Sequence, residues 1–132
     1  PRPAHPPRLG SRRWGLAVAD APRLGATLRI LLSDRWEVTI APSASSARRT
    51  LRERTFDAIL CDVALRDESG IDLYRELRAS DPQAAATMVF MTGGSVDETI
   101  QRFLRSVRDR CIEKPFGPDA LHALLERHRR RA

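Results

Sequence analysis

Five short apolar runs, each followed by a segment with helical spacing, constrain this chain more than any other feature. Residues 14–19 (WGLAVA), 36–40 (WEVTI), 56–61 (FDAILC), 87–91 (TMVFM) and 111–113 (CIE) have the length of buried parallel strands. Between and after them, apolar positions recur on one face of a helix: Leu24, Leu28, Leu31 and Leu32; Ala44, Ala47 and Leu51; Leu73, Tyr74 and Leu77; Ile100, Phe103, Leu104 and Val107; Leu121, Leu124, Leu125 and His128. Ser43 and Ser69 stand where N-caps belong, Pro118 is near a helix start, and Asp119 would favour the positive end of the last helix. A strand-helix unit repeated five times predicts an α/β fold, a parallel sheet covered by helices on both faces.

The 132 residues suffice for one domain with a substantial core. No apolar run approaches about 18 residues and no charged-then-apolar leader opens the chain, so neither a membrane partner nor secretion is expected, and the predicted location is cytoplasmic. Two cysteines are too few for a disulfide framework; Cys61 and Cys111 lie in strand-like runs and are expected to be reduced. The net charge of +6 gathers at the ends: residues 1–13 and 127–131 each hold four arginines and no acid, leaving 15 basic and 17 acidic residues, a net of −2. The body is therefore not a basic surface, and nucleic-acid binding is expected only as non-specific contacts of the arginine tails, since no aromatic residues interleave with the charges.

Residues 1–13, PRPAHPPRLGSRR, read as a linker or disordered arm of a longer chain, 14–128 as the folded domain, and 129–132 as a basic tail. His5, His122 and His128 have no metal-ligand spacing and are predicted to lie at the surface.

In open parallel sheets, ligands sit beyond the carboxyl ends of the strands, where strand order reverses. Here those ends carry Asp20, Asp62, Thr92 and Lys114. An Asp or Thr after one strand is ordinarily a turn or cap residue, but two carboxylates, a hydroxyl and an ammonium converging on one crevice make a chemical set. Oxygen ligands of this kind suit a hard divalent ion such as Mg2+. With it, one carboxylate could attack a phosphoryl group while the hydroxyl and ammonium hold the new oxygens. Lys114 is the only lysine beside 22 arginines, and a compact ammonium serves such a site where a broad guanidinium would not.

These residues resemble the receiver domain of two-component response regulators, over about residues 14–128. The segment AILCDVALRDESGIDL looks like the family's phosphoacceptor stretch, with Gly70 eight positions after Asp62; VFMTGG supplies Thr92, and EKPF supplies a Lys-Pro pair whose peptide bond is typically cis in relatives. The resemblance implies a flavodoxin-like fold with five strands in the order 2-1-3-4-5. It further implies Asp62 as phosphoacceptor, Thr92 and Lys114 as its assistants, and Mg2+ held by Asp20, Asp62 and the backbone carbonyl of Ala64. The implied partner is a histidine kinase or phosphotransfer domain, and the chemistry is confined to phosphorylation of the domain's own aspartate rather than that of a stand-alone enzyme.

Three positions depart from the pattern. Ala19 replaces the first of two adjacent acids, Arg66 replaces a common proline four residues after the acceptor and is expected to loosen the following loop, and Cys111 replaces the aromatic residue of the fifth strand. VFMTGG and CIEKPF followed by one last helix look most like the terminal receiver of a hybrid histidine kinase, which would put the kinase in the same chain. The alternative is a pseudo-receiver, the same fold used as an interaction module without phosphorylation. A small nucleotide enzyme is disfavoured because no GxGxxG or GxxxxGK[ST] loop follows the first strand. Apolar residues of the last two helices could serve a homodimer, although the core claims them first.

Overall fold

The computed structural model describes residues 12–67, 69–94 and 97–131. The elements are β1 (Arg13–Val18), α1 (Pro22–Leu32), β2 (Trp36–Ala41), α2 (Ala44–Glu53), β3 (Ala58–Asp62), α3 (Gly70–Ser80), α4 (Pro82–Ala86), β4 (Met88–Thr92), α5 (Glu98–Ser106), β5 (Cys111–Glu113) and α6 (Pro118–His128). All four strand pairings are parallel and the order is β2-β1-β3-β4-β5. This is the flavodoxin-like arrangement, and the order reverses at β1, between β2 and β3, which opens the crevice at the sheet's carboxyl edge.

Strand alternation sends side chains to two apolar layers. Leu16, Val18, Ile59, Cys61, Met88 and Phe90 join residues of α2, α3, α4 and α5 on one face. Ala17, Ala19, Ala58, Leu60, Val89 and Met91 join Leu28 and Leu32 of α1 and Leu121, Leu124 and Leu125 of α6 on the other. Phe103 and Val107, which the sequence left open to a dimer face, are buried in the first layer. No helix among the described residues is long and apolar enough to cross a membrane.

Several local features differ from the sequence reading. A short helix, α4, precedes β4; Asp81 caps it by accepting from the Ala84 N–H at 3.2 Å, and Pro82 occupies its first turn. His122 and His128 are half-buried rather than on the surface, their Nε2 atoms lying 3.1 Å from Leu31 O and 2.9 Å from Asp109 O; His5 lies outside the described residues. Residues 1–11 of the arm and Ala132 of the tail also lie outside them. Arg129, Arg130 and Arg131 rest on the body: the Arg130 N–H donates to Asp57 O at 2.6 Å, its Nε to Phe56 O at 3.3 Å, and Arg129 and Arg131 both pair with Glu126.

Candidate functional site

β3 is buried along its whole length and ends on Asp62, whose residue exposure is only 4 %. A buried carboxylate requires compensation. Lys114 provides it from the end of β5, with Nζ 2.6 Å from Asp62 Oδ2. The other oxygen, Oδ1, accepts from the Ala64 N–H at 3.0 Å. Lys114 is itself fixed by its backbone, which donates to Thr92 O at 2.8 Å, and the Lys114–Pro115 bond is cis. Thr92, at the end of β4, is buried and accepts through Oγ1 from the Gly94 N–H at 3.3 Å.

Asp20 follows β1, the strand beside β3. Its Oδ2 accepts from the Arg66 N–H at 2.6 Å, which joins the loop after Asp62 to the end of β1. Within that loop Ala64 bridges Ser69, and the Gly70 N–H donates to Val63 O at 3.0 Å. Gly70 is required by closeness, because a Cβ there would lie 2.6 Å from Asp62 O and 2.9 Å from Cys61 Sγ. Asp67 of the same loop accepts from the N–H groups of Ala44 and Ser45 at the start of α2, each at 3.2 Å.

Asp20, Asp62, Thr92, Lys114 and the Ala64 backbone thus meet at one rim. Two carboxylates and a neighbouring carbonyl are hard oxygen donors, compatible with Mg2+, which retains several waters. Among the described residues, no group of three His, Cys, Asp or Glu side chains forms a metal cluster. Ala19 is 2 % exposed and belongs to the apolar layer of α1 and α6. Two wide clefts, of about 620 Å3 between α1 and α6 and about 470 Å3 beside Arg127–Arg131, include none of the rim residues.

The two thiols are poor nucleophiles. Burial, assisted by the charge of Asp62, holds Cys61 far above the ordinary thiol range, and burial with a smaller effect from Asp109 pushes Cys111 up to about 11. Cys111 pairs in register with Phe90, which meets Tyr74 and Phe103 edge-on. Aromatic bulk on this face therefore comes from α3, β4 and α5 instead of β5.

Sequence reasoning missed the ties made by Arg66 and Asp67. Both follow from backbone N–H groups finding carboxylates far away in sequence, for which a single sequence offers no periodic signal.

Residues 16–126 match the response regulator receiver domain family. Among curated proteins, the chain is similar to the transcriptional regulatory protein ZraR of Escherichia coli, 35 % identical over 92 residues, or 70 % of this chain and 20 % of that protein. It is also similar to the response regulator protein PilR of Pseudomonas aeruginosa, 34 % identical over 116 residues, covering 87 % of this chain and 26 % of that one. The chain thus spans about a fifth and about a quarter of the length of these two relatives. A solved structure, the non-phosphorylated HemR receiver domain of Leptospira biflexa, superposes with a TM-score of 0.70 at 27 % identity, over 88 % of this chain and 93 % of that one. The receiver domain of a Pseudomonas aeruginosa sensor histidine kinase, with a magnesium ion coordinated in its active-site cleft, shares the fold with a TM-score of 0.76 at 23 % identity, over 89 % of this chain and 97 % of that one.

Proposed function

The chain belongs to the response regulator receiver domain family of two-component signalling, and from that premise we propose that it accepts a phosphoryl group on Asp62. The observation that carries this reading is the 2.6 Å contact between Lys114 Nζ and Asp62 Oδ2 at a nearly buried carboxylate. A carboxylate at the end of a sheet strand, held by a point charge on one oxygen and a backbone N–H on the other, is suited to nucleophilic attack. An oxygen of Asp62 bonds to the donor's phosphorus as the bond from phosphorus to the donor's histidine nitrogen breaks. The departing imidazole retains the electron pair and regains a proton from solvent. Lys114 then balances charge on the acyl phosphate, and the Thr92 hydroxyl can donate to one of its oxygens.

Asp20, Asp62 and the Ala64 carbonyl are the proposed Mg2+ ligands. A bound ion would neutralise phosphoryl oxygens; a magnesium ion at the corresponding cleft of a protein with the same fold supports this assignment. The proposed donor is a histidine kinase or phosphotransfer domain. We assign the receiver to residues 14–128 together with Arg13, the first residue of β1, the linker to the residues before it and a short basic tail to 129–132. The wording of VFMTGG and CIEKPF supports a receiver fused to a hybrid kinase. A second reading, the receiver of a DNA-binding regulator, is favoured by the relatives' names as transcriptional regulators. Intact mass and ATP-dependent autophosphorylation of the full-length native protein distinguish these two settings.

The site reading is tested by incubating the chain with a phosphohistidine-bearing phosphotransfer domain. Label should move to wild type and not to Asp62→Asn, and chelation of divalent ions should suppress the transfer. A folded wild type that takes no label from this donor or from a small phosphodonor would instead be a pseudo-receiver.

A further inference from the structure

Two departures from the receiver pattern meet at one carboxylate. Ala19 brings no acid beside Asp20, and Arg66 places a base in the loop after Asp62. The Arg66 N–H donates to Asp20 Oδ2 at 2.6 Å, a bond that proline, lacking the hydrogen, cannot make. The Arg66 guanidinium approaches the same oxygen, with Nε at 4.0 Å. Lys114 faces Asp62 more closely, with Nζ 2.6 Å from Oδ2. Each carboxylate of the rim therefore has its own cation within the chain.

We propose that Arg66 is a built-in rival to the divalent ion at Asp20: its N–H positions the carboxylate, its guanidinium offsets the charge, and the site is balanced without metal. This rests on reading Asp20 as a metal ligand. Loss of an acid at Ala19 and gain of a base at Arg66 shift the site's charge in the same direction by two units. A divalent ion must then share Asp20 with a donor already on Oδ2 and enter beside a positive group. The Arg66 side chain is 85 % exposed and that of Asp20 only 19 %, so water screens the guanidinium strongly while the N–H bond is better protected. At water-like screening, a unit charge several ångströms from a divalent ion changes its affinity by about 3- to 10-fold.

The substitutions Arg66→Ala and Arg66→Pro separate the two contributions, since alanine keeps the N–H and proline loses it. Calorimetric titration with MgCl2 should give wild type the weakest affinity, Arg66→Ala about 3- to 10-fold tighter, and Arg66→Pro tighter again, with Arg66→Lys close to wild type. Without metal, Arg66→Ala should melt below wild type, and MgCl2 should restore it. Equal Mg2+ affinity in wild type and Arg66→Ala overturns the proposal, as does the absence of binding in both; if Arg66→Pro fails to fold, the alanine variant decides. A graded metal affinity without phosphorylation would uphold the role of Arg66 and overturn the phosphoacceptor reading.

Discussion

Lys114 is a lysine because the space beside Asp62 admits a point charge: Nζ reaches Oδ2 at 2.6 Å from a backbone fixed to β4. Its isolation among arginines made that role legible from sequence alone. Lys114→Arg keeps the charge but not the shape, and phosphorylation of the variant should slow by about 10- to 100-fold, measured by single-turnover transfer. Full activity would make the lone lysine incidental. The partners of Arg66 were not legible, because no residue pattern announces a backbone N–H reaching a carboxylate 46 positions away. The family resemblance singled out Gly70, and the structure adds the reason: Gly70→Ala would drive a Cβ against Asp62 O. That variant should lose about 1–3 kcal/mol in chemical denaturation and transfer phosphate more slowly. The thiols give a signed pH dependence. Unfolded cysteine ionises near about pH 8.5, whereas folded Cys111 holds its proton to about 11. The stabilisation is complete below the unfolded value and is lost as pH rises through the folded one, so stability should decline above about pH 8.5 and Cys111→Ala should reduce that decline.

Helix starts were the most readable elements. Ser43 accepts from the Ser46 N–H at 3.0 Å and Ser69 from the Asp72 N–H at 3.2 Å, so both caps follow from a small hydroxyl residue placed before an apolar periodicity. Ser43→Ala should cost about 1 kcal/mol in denaturant unfolding; an unchanged midpoint would mean that Asp67 alone satisfies the start of α2. By contrast, α4 has five residues and no complete apolar turn, so its cap and proline were the only local signals and its neighbours hid them. Strand ends moved by a residue or two because ladder pairing, rather than side-chain hydrophobicity, sets where a strand stops. Ala41 and Thr92 join their strands because β1 and β5 pair with them. The apolar face of α5 could not be assigned from spacing alone, since a core face and a dimer face have the same period; the burial of Phe103 and Val107 assigns those two to the core.

Across the whole molecule, the five-fold alternation fixed the layers and the family resemblance supplied the strand order, while the disposition of the arginine ends was not readable. Charge runs ordinarily mark solvated segments, yet Arg130 bonds to the backbone of Phe56 and Asp57 and Arg12 pairs with Glu37 at 3.3 Å. Truncation after residue 126 should therefore lower the melting temperature as well as remove charge, by the equivalent of about 1–2 kcal/mol for the lost bonds. The same truncation, combined with removal of residues 1–13, should abolish any salt-sensitive DNA binding; sequence-selective binding by the trimmed body would contradict the charge assignment. The central claim is that this body is an active phosphoacceptor with Asp62 as its nucleophile. Its most direct test is intact-mass measurement after incubation with a small phosphodonor and Mg2+. Wild type should gain one phosphoryl group and a folded Asp62→Asn none; an unchanged wild-type mass, or an equal gain by both proteins, would rule out Asp62 as the nucleophile.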